Sequence, residues 1–308
     1  MSIIIGIDIG GSHISSAAVN KETLEIIDGT WFRGAVDSKA SKEIILKKWA
    51  EIINQTLNEV TMDDTIGIAF SMPGPFEYET GTAMFEGNDK YESLYNVNIP
   101  EDLIRYLDNK NVTFRFLNDA TSFGIGSALG QKDGGANKKV IAITLGTGFG
   151  ASFLNDVIPV VNGAGVPENG CLWDKTFQDS IADAYFSTRW FLQKYEQYSG
   201  QKSKDGVKEI ASLKNEYSAQ IFDEFAQNLS DFLLPYIHSF KADSLVLGGN
   251  IAKCHDLFLP QVLQKWEAAG TTISVTILDN TEESSIVGSS YMFNEVFWER
   301  IKEELPNF

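Results

Sequence analysis

Two stretches of the chain share one design, in which an apolar run is followed by a glycine-rich tip and then by a second run of small and apolar residues. In the first stretch, residues 3–9 lead to Gly10 and Gly11, and residues 14–19 follow. In the second, residues 140–145 lead to the tip 146–150, and residues 151–154 follow. Each stretch predicts a β-hairpin whose tip lacks Cβ atoms, so that clustered backbone N–H groups are exposed to an anion. Two such tips predict two halves of the chain that bind one polyphosphate, although tight hairpin turns favour glycine without any ligand.

The order of predicted elements repeats along the chain, and this repeat indicates the fold class. Apolar runs and their spacing predict helices at residues 41–60, 178–198, 216–240 and 281–304, and a further helix that begins at residue 118. Strands are predicted at residues 65–71, 112–117 and 244–247. Because hairpin, helix and strand recur in both halves, we predict a duplicated α/β fold with two lobes and a central cleft. The first lobe is predicted to span residues 1–117 with 289–308, and the second to span residues 118–288.

The acidic composition limits the partners that this chain is expected to have. Its net charge of −17 repels nucleic acid and anionic membranes, so we expect neither as a partner. No stretch approaches the ~18 apolar residues of a membrane span, and the first residues lack the basic segment and cleavage pattern of a signal peptide. Two cysteines among 308 residues do not make a disulfide framework. We therefore expect a cytoplasmic protein.

Asp8 and a third glycine turn add to the case for a phosphate site. Asp8 is predicted at the end of a buried strand beside the first tip. A carboxylate in this place either holds Mg²⁺ through water or accepts hydrogen bonds from its own backbone in a turn. Gly248 and Gly249 follow the predicted strand 244–247. Ligand sites in α/β sheets lie at the carboxyl ends of strands, which is where all three glycine turns are predicted.

Three polar residues elsewhere are candidates for chemistry. Asn118 and Asp119 lie between a predicted strand and a predicted helix, so either residue can be an ordinary N-cap, and Asp119 can also be a general base. Glu168 lies in a loop without periodicity, where it is either a solvated acid or an acceptor for sugar hydroxyl groups. Their local sequence favours the cap at residues 118–119 and leaves both roles of Glu168 open.

Five motifs in this order resemble the ROK family of sugar kinases (repressor, open reading frame, kinase), and the resemblance covers nearly the whole chain. That family belongs to the superfamily of sugar kinases, heat-shock proteins and actin. The segments are Asp8-Ile9-Gly10-Gly11-Ser12 for the first phosphate motif, Ser71-Met72-Pro73-Gly74-Pro75 for the substrate-side turn, Leu117-Asn118-Asp119-Ala120 for the catalytic aspartate, Leu145-Gly146-Thr147-Gly148-Phe149-Gly150 for the second phosphate motif, and Leu247-Gly248-Gly249-Asn250-Ile251-Ala252 for the adenosine motif.

The resemblance implies an actin-like, ribonuclease H-like ATPase fold and transfer of a phosphoryl group from Mg-ATP to a sugar hydroxyl group. Asp119 is implied as the general base, and Asp8 as the residue that holds Mg²⁺ through water. The residues implied to bind ATP and its phosphates are Asp8, Gly10, Gly11, Ser12, His13, Gly146, Thr147, Gly148, Gly248, Gly249 and Asn250. The residues implied to bind the sugar are Gly74, Asn88, Asn118, Asp119 and Glu168. By analogy with the family, we also expect a homodimer.

One region departs from the family pattern. ROK proteins usually carry a histidine that binds both zinc and sugar, followed by a three-cysteine zinc cluster and a further sugar-binding glutamate. Here Cys171 replaces the histidine, the cysteine cluster is missing, and Gln178 and Asp179 lie near the position of the second glutamate. One cysteine does not make a tetrahedral zinc site, so we predict no structural zinc. The altered sugar side predicts a sugar other than glucose, or a polyol.

Two alternatives to a kinase remain open. One is a ROK transcriptional regulator that uses the fold as a sugar sensor, but such regulators carry a helix-turn-helix module before the first phosphate motif. Only seven residues precede Asp8 here, and the net charge is −17, so we expect no DNA binding. The other alternative is a non-catalytic sugar-binding protein, which the altered region around Cys171 suggests.

Overall fold

The structure is a computed structural model, and it describes residues 2–87, 90–130 and 138–305. The strands are β1 (Ile3–Ile9), β2 (His13–Asn20), β3 (Phe32–Ala35), β4 (Thr65–Met72), β5 (Phe76–Glu77), β6 (Thr82–Ala83), β7 (Val97–Asn98), β8 (Thr113–Asn118), β9 (Lys139–Leu145), β10 (Phe149–Asn155), β11 (Ile158–Pro159), β12 (Thr176–Phe177), β13 (Ser180–Ile181), β14 (Ser244–Gly248) and β15 (Ser274–Ile277). The α-helices are α1 (Lys42–Asn58), α2 (Ile99–Leu103), α3 (Asp119–Gly130), α4 (Ala182–Tyr185), α5 (Thr188–Ser199), α6 (Gly206–Leu213), α7 (Glu216–Phe240), α8 (Leu259–Ala268), α9 (Thr281–Ser290) and α10 (Glu295–Ile301).

The chain divides into two compact units. The first contains Met1–Lys132, Val157–Pro159 and Glu282–Phe308, and the second contains Asp133–Asp156 and Val160–Thr281. These bounds differ from those of the lobes that we predict from the sequence, residues 1–117 with 289–308 and residues 118–288, because helix α3 and most of α9 cluster with the first sheet. The functional lobes themselves stay a prediction.

The first unit is built on a five-stranded sheet with the order β3-β2-β1-β4-β8. Strands β1 and β2 form the antiparallel hairpin that the first glycine-tipped stretch predicts, and β4 and β8 run parallel to β1. Because both faces of β1 are covered, its side chains are almost all apolar and buried. Helix α1 packs on this sheet through residues at helical spacing, among them Ile45, Trp49 and Ile53, as its pattern predicts.

The second unit repeats this arrangement. Strands β10 and β9 form its antiparallel hairpin, and β14 and β15 continue the sheet in parallel, so the order β10-β9-β14-β15 matches β2-β1-β4-β8. Its core gathers aromatic residues from several elements, including Phe149 of β10, Phe186 between α4 and α5, and Phe225 of α7. The predicted duplicated α/β fold of the actin-like ATPase class is therefore confirmed.

Two predicted helices are wrong in their extent. In place of one helix at residues 178–198, the structure has two shorter helices, α4 and α5. The predicted helix starts too early because Gln178 adopts a left-handed φ of 51° in the turn between β12 and β13. The Gln178 side chain donates a hydrogen bond to Asn228 of α7, at 2.9 Å, so a tertiary contact accompanies this turn. The helix predicted at residues 281–304 is divided near Asn294, whose side chain accepts the N–H of Phe297 and caps the separate helix α10.

Within the first unit, helices α3 and α9 approach each other closely at two glycines. A Cβ built on Gly126 would lie 1.9 Å from the carbonyl oxygen of Ser284, and a Cβ on Gly288 would lie 1.9 Å from the carbonyl oxygen of Ser122. Backbone atoms cannot move aside as a flexible side chain can, so any larger residue must separate the two helices. This contact fixes α3, whose first residue is Asp119, against the rest of the unit.

Across residues 2–87, 90–130 and 138–305, no helix combines the length and the apolar character that crossing a membrane requires.

We expect Gly126→Ala to lower the free energy of unfolding by about 1–3 kcal/mol, because the added methyl group overlaps a backbone carbonyl. Gly130→Ala in the same helix is the matched control, since a Cβ there meets nothing within 4 Å and alanine favours a helix over glycine. Urea denaturation of both variants measures the difference. Equal stability of the two variants would contradict the tight crossing of α3 and α9.

Candidate functional site

The carboxyl ends of three parallel strands place polar residues together in the first unit. Asp8 of β1 is paired in register with Ser71 of β4, and Met72 of β4 is paired with Asn118 of β8. The Ser71 hydroxyl donates a hydrogen bond to Asp8 Oδ1 at 2.8 Å. Asp119 follows Asn118 directly and is the first residue of α3. The topology of the parallel sheet therefore brings two carboxyl groups to one edge, where α/β folds bind ligands.

The two carboxyl groups at this edge are poorly compensated. Burial raises the pKa of Asp8 to about 7; the hydrogen bond from Ser71 opposes the rise, while the charges of Asp119 and Glu282 add to it. Burial likewise raises the pKa of Asp119, and the N–H of Ala120 and the charge of Lys90 act in the opposite direction. Two desolvated acids that repel each other favour a nearby proton or cation. The edge is therefore electrostatically suited to a bound cation.

Asn118 acts as a cap at the start of α3. Its Oδ1 accepts the N–H groups of Ala120 and Thr121 at 3.1 and 3.2 Å, and its Nδ2 donates to the Tyr78 hydroxyl at 3.1 Å. The Tyr78 hydroxyl in turn donates to the carbonyl of Met72. The cap that the local sequence favours is thus present, and it holds the backbone next to Asp119.

The first glycine tip is covered by basic side chains. A Cβ on Gly10 would lie 2.5 Å from His13 Cε1, and a Cβ on Gly11 would lie 3.0 Å from Lys90 Nζ. Neither glycine has a positive φ, so the lack of a Cβ, and not conformational freedom, explains the residue type. Ser12, at the outer end of the tip, is exposed. The missing Cβ atoms make room for two basic side chains.

Glu282, in the first turn of α9, is held beside this tip by three donors. His13 Nε2 lies 3.2 Å from it, Arg33 Nη2 lies 3.1 Å from it, and the Ser15 hydroxyl donates to it at 2.6 Å. The bond from His13 is the main cause that lowers the pKa of Glu282 to about 2, with Ser15 and Arg33 adding to the effect. Glu282 therefore fixes the His13 ring against Gly10 through a charge-assisted contact.

The second glycine tip, in the second unit, is more open. A Cβ on Gly146 would meet nothing within 4 Å, and a Cβ on Gly148 would meet only Asp183 Oδ1, at 3.1 Å. Asp183 accepts the N–H of Phe149 at 2.8 Å, and Thr188 donates twice to the carbonyl of Gly146. Thr147 and Gly148 are exposed. This tip therefore presents backbone that a ligand can approach.

The third glycine turn depends on a close backbone approach. Gly249 has a φ of 91°, and a Cβ on it would lie 2.3 Å from the carbonyl oxygen of Leu145. Its N–H donates to the Thr281 hydroxyl at 2.7 Å. Gly248 is the buried last residue of β14, and Asn250 is exposed. Glycine at position 249 is therefore required by the fold, whatever the ligand.

Glu168 and Cys171 lie in the second unit on a short 3₁₀ turn, Glu168–Gly170, in which Asn169 has a φ of 62°. Glu168 is exposed, whereas Cys171 is buried with its Sγ 3.7 Å from Asp174 Oδ1. Burial raises the pKa of the Cys171 thiol to about 12, with the charge of Asp174 adding to the rise. Such a thiol stays protonated near neutral pH, whereas zinc binds the thiolate.

Of the residues that the sequence predicts to bind ATP, metal or sugar, the first unit holds Asp8, Gly10, Gly11, Ser12, His13, Gly74, Asn118 and Asp119. The second unit holds Gly146, Thr147, Gly148, Glu168, Gly248, Gly249 and Asn250, and Asn88 lies outside the described residues. Within the described part of the chain, no group of three or more His, Cys, Asp or Glu side chains is arranged to hold a metal ion. That this protein lacks structural zinc stays a prediction.

Sequence reasoning missed Ser71, Lys90 and Glu282 as members of this site. Ser71 lies in the segment that resembles the family's substrate-side turn, and its register with Asp8 would have indicated the contact. Lys90 and Glu282 carry no local signal, because Glu282 meets Ser15 across 267 residues of sequence. The position of α9 reveals Glu282, and the contact of Lys90 with Gly11 reveals Lys90.

The profile of the ROK family matches residues 4–296, and the chain therefore belongs to the ROK family. It is 22% identical over 335 residues to a glucokinase from Thermotoga maritima, an alignment that covers 95% of this chain and 97% of that protein.

Two solved structures show the same fold. A ROK family glucokinase from Streptomyces griseus, in complex with glucose and AMPPNP, has a TM-score of 0.74 at 17% identity and covers 94% of this chain and 98% of its own. A ROK hexokinase from Thermus thermophilus has a TM-score of 0.72 at 14% identity, and the match covers 96% of this chain and 99% of the hexokinase chain.

We expect Glu282→Gln to destabilise the protein by about 1 kcal/mol at pH 6, a value reduced for solvent screening of this partly exposed group. The pKa of Glu282 is lower in the folded protein than in the unfolded chain. Its carboxylate therefore stabilises the fold above about pH 4.3, and this stabilisation disappears as the pH falls toward 2. The difference in the free energy of unfolding between variant and wild type, measured by urea denaturation, should therefore become smaller from pH 6 to pH 3.5. Glu79→Gln, at an exposed glutamate of the same unit, makes the same change in charge and is the control; equal losses in both variants would contradict the role of Glu282.

Proposed function

We propose that this protein is an ATP-dependent sugar kinase in which Asp119 is the general base. The observation that carries the proposal is the position of Asp119, a desolvated carboxyl group fixed by the capped start of α3 beside Asp8. A raised pKa suits a base that must accept a proton near neutral pH. Membership of the ROK family and the similarity to a glucokinase and a hexokinase support the same reaction class.

In the proposed reaction, Asp119 accepts the proton of a sugar hydroxyl group as that oxygen bonds to the γ-phosphorus of ATP. The bond between the γ-phosphorus and the bridging oxygen breaks, and ADP leaves with the bond's electrons. Positioning and charge stabilisation supply most of the catalysis in such a transfer. Asn118 contributes by holding the backbone at Asp119 through its two accepted N–H bonds.

The first unit also fits a magnesium ion. Mg²⁺ is commonly bound by one or two carboxylates together with substrate phosphates, so a dedicated cluster of protein ligands is not needed. Asp8, with Oδ1 oriented by Ser71 and the second acid Asp119 nearby, would supply an oxygen ligand and negative charge to such an ion. When bound, Mg²⁺ would neutralise phosphate charge during transfer.

The phosphate contacts proposed for this reaction come from both glycine tips, with Gly10, Gly11, Ser12 and His13 on the first and Gly146, Thr147 and Gly148 on the second. The N–H groups of Gly10 and Gly146 donate within their tips, to the carbonyls of His13 at 2.9 Å and Gly148 at 3.0 Å, so these two glycines are proposed to allow close approach and not to donate to phosphate. Gly248, Gly249 and Asn250 are proposed to contact the adenosine part of ATP.

The sugar is proposed to be hexose-like and to contact Gly74, Asn88, Asn118, Asp119 and Glu168. The buried, protonated thiol of Cys171 stands where many relatives carry a histidine, so the polar contacts of the sugar should differ from theirs. Substrate choice follows the polar groups that a site must satisfy, so a difference at one such position is expected to change the preferred sugar.

Measuring ADP release with a panel of hexoses, N-acetylated hexosamines and polyols tests the proposed function. Turnover with at least one sugar, dependent on both ATP and Mg²⁺, is the expected result. ATP binding without turnover of any sugar in the panel would contradict the kinase proposal and favour a sugar-binding sensor.

With the sugar that turns over fastest, we expect Asp119→Asn to lower kcat by about 10²–10⁴-fold, because the amide cannot accept the proton. ATP affinity, measured by calorimetry, should change little. Asp108→Asn, an exposed site in the same unit, is the control for the loss of one negative charge. Retention of wild-type kcat in Asp119→Asn would exclude Asp119 as the base.

A further inference from the structure

We propose that Lys90 binds the γ-phosphate of ATP and stabilises the phosphoryl group during its transfer. The inference rests on the proposed kinase function, and it concerns a residue that lies outside the ROK motifs described above. Three independent features of the first unit support it: the position of Lys90 on the glycine tip, the anchoring of its neighbour Tyr91, and the charge that Lys90 faces.

The side chain of Lys90 lies along the backbone of Gly11. A Cβ on Gly11 would lie 3.0 Å from Nζ, 3.1 Å from Cε and 3.2 Å from Cδ of Lys90, so that even alanine at position 11 would crowd the whole end of the lysine. Gly11 belongs to the tip that is proposed to bind phosphate. The ammonium group is therefore already where a phosphate oxygen is expected to arrive.

Tyr91 fixes this position. Its hydroxyl donates to the carbonyl of Gly10 at 2.7 Å, and its N–H donates to the carbonyl of Ser38 at 2.8 Å. The Tyr91 ring is buried and contacts Trp49 edge-on, with ring centroids 5.5 Å apart. Tyr91 also adopts a left-handed backbone with a φ of 56°, a conformation that persists in a non-glycine residue only where surrounding contacts impose it. These buried contacts of Tyr91 anchor the backbone directly after Lys90.

The charge of Lys90 acts on the reacting groups. It counteracts the rise in the pKa of Asp119 that burial causes, which places the ammonium within electrostatic reach of the proposed base. A cation next to both the proposed base and the proposed phosphate tip can donate hydrogen bonds to a non-bridging oxygen of the γ-phosphate. There it would offset the negative charge that the transfer redistributes. ADP lacks this phosphate, so the contact should distinguish ATP from ADP.

The test compares Lys90→Met, Lys90→Gln and Lys90→Arg with wild type, using Mg-ATP and Mg-ADP as calorimetric probes and ADP release as the activity. We expect both neutral variants to lose about tenfold or more in affinity for ATP while affinity for ADP changes by less than about threefold. Their kcat should fall by about 10²-fold or more, with partial recovery in Lys90→Arg. Lys110→Met, an exposed lysine of the same unit, is the control for the loss of one positive charge.

Equal losses of ATP and ADP affinity, or ATP affinity and kcat close to wild type, would overturn the role of Lys90. Testing two neutral variants protects the experiment against a folding defect in one of them. If wild-type protein turns over no sugar, the proposed function fails, but the difference between ATP and ADP binding still decides whether Lys90 contacts the γ-phosphate.

Discussion

Two half-buried carboxyl groups, Asp8 and Asp119, are the constraint on which the rest of this site depends. Burial raises the pKa of each, and the charge of Asp119 raises the pKa of Asp8 further. The surrounding structure holds both in place: Ser71 orients Asp8, the Asn118 cap fixes the backbone at Asp119, and the tight crossing of α3 with α9 leaves α3 no room to shift. Lys90 offsets part of the cost of ionising Asp119, and a bound cation would offset more of it. Mg-ATP, the proposed ligand, would bring such a cation.

The two glycine tips share a sequence design but differ in surroundings. At the first tip, the space above Gly10 and Gly11 is occupied by the side chains of His13 and Lys90, which only glycine admits. At the second tip, the space at Gly146 is open and the nearby side chain is acidic, Asp183. The duplicated topology therefore carries two chemically different ends. Under the proposed function, the first end would bind phosphate through basic side chains, and the second through backbone.

The sequence predicts the layout of this molecule better than its electrostatics. Apolar runs that end in polar residues predict the hairpins, the parallel strands and the placement of Asp8 and Asp119 at strand ends. Such runs can be read from the sequence because they involve only residues that are neighbours along the chain. The division of the last helix near Asn294 and the turn at Gln178 were mispredicted because a side-chain cap and a tertiary contact override helical spacing. Lys90 and Glu282 could not be found from sequence patterns, since the Tyr91 anchor spans 81 residues and the Glu282 contact with Ser15 spans 267.

The affinity of ATP with and without Mg²⁺, measured by calorimetry in wild type and in Asp8→Asn, tests the central claim most directly. If the desolvated carboxyl edge of the first sheet is where the metal-bound phosphates are held, Mg²⁺ should tighten ATP binding to wild type by about tenfold or more. In Asp8→Asn that enhancement should fall to about threefold or less, while binding of metal-free ATP is kept. An equal Mg²⁺ enhancement in both proteins would contradict the account.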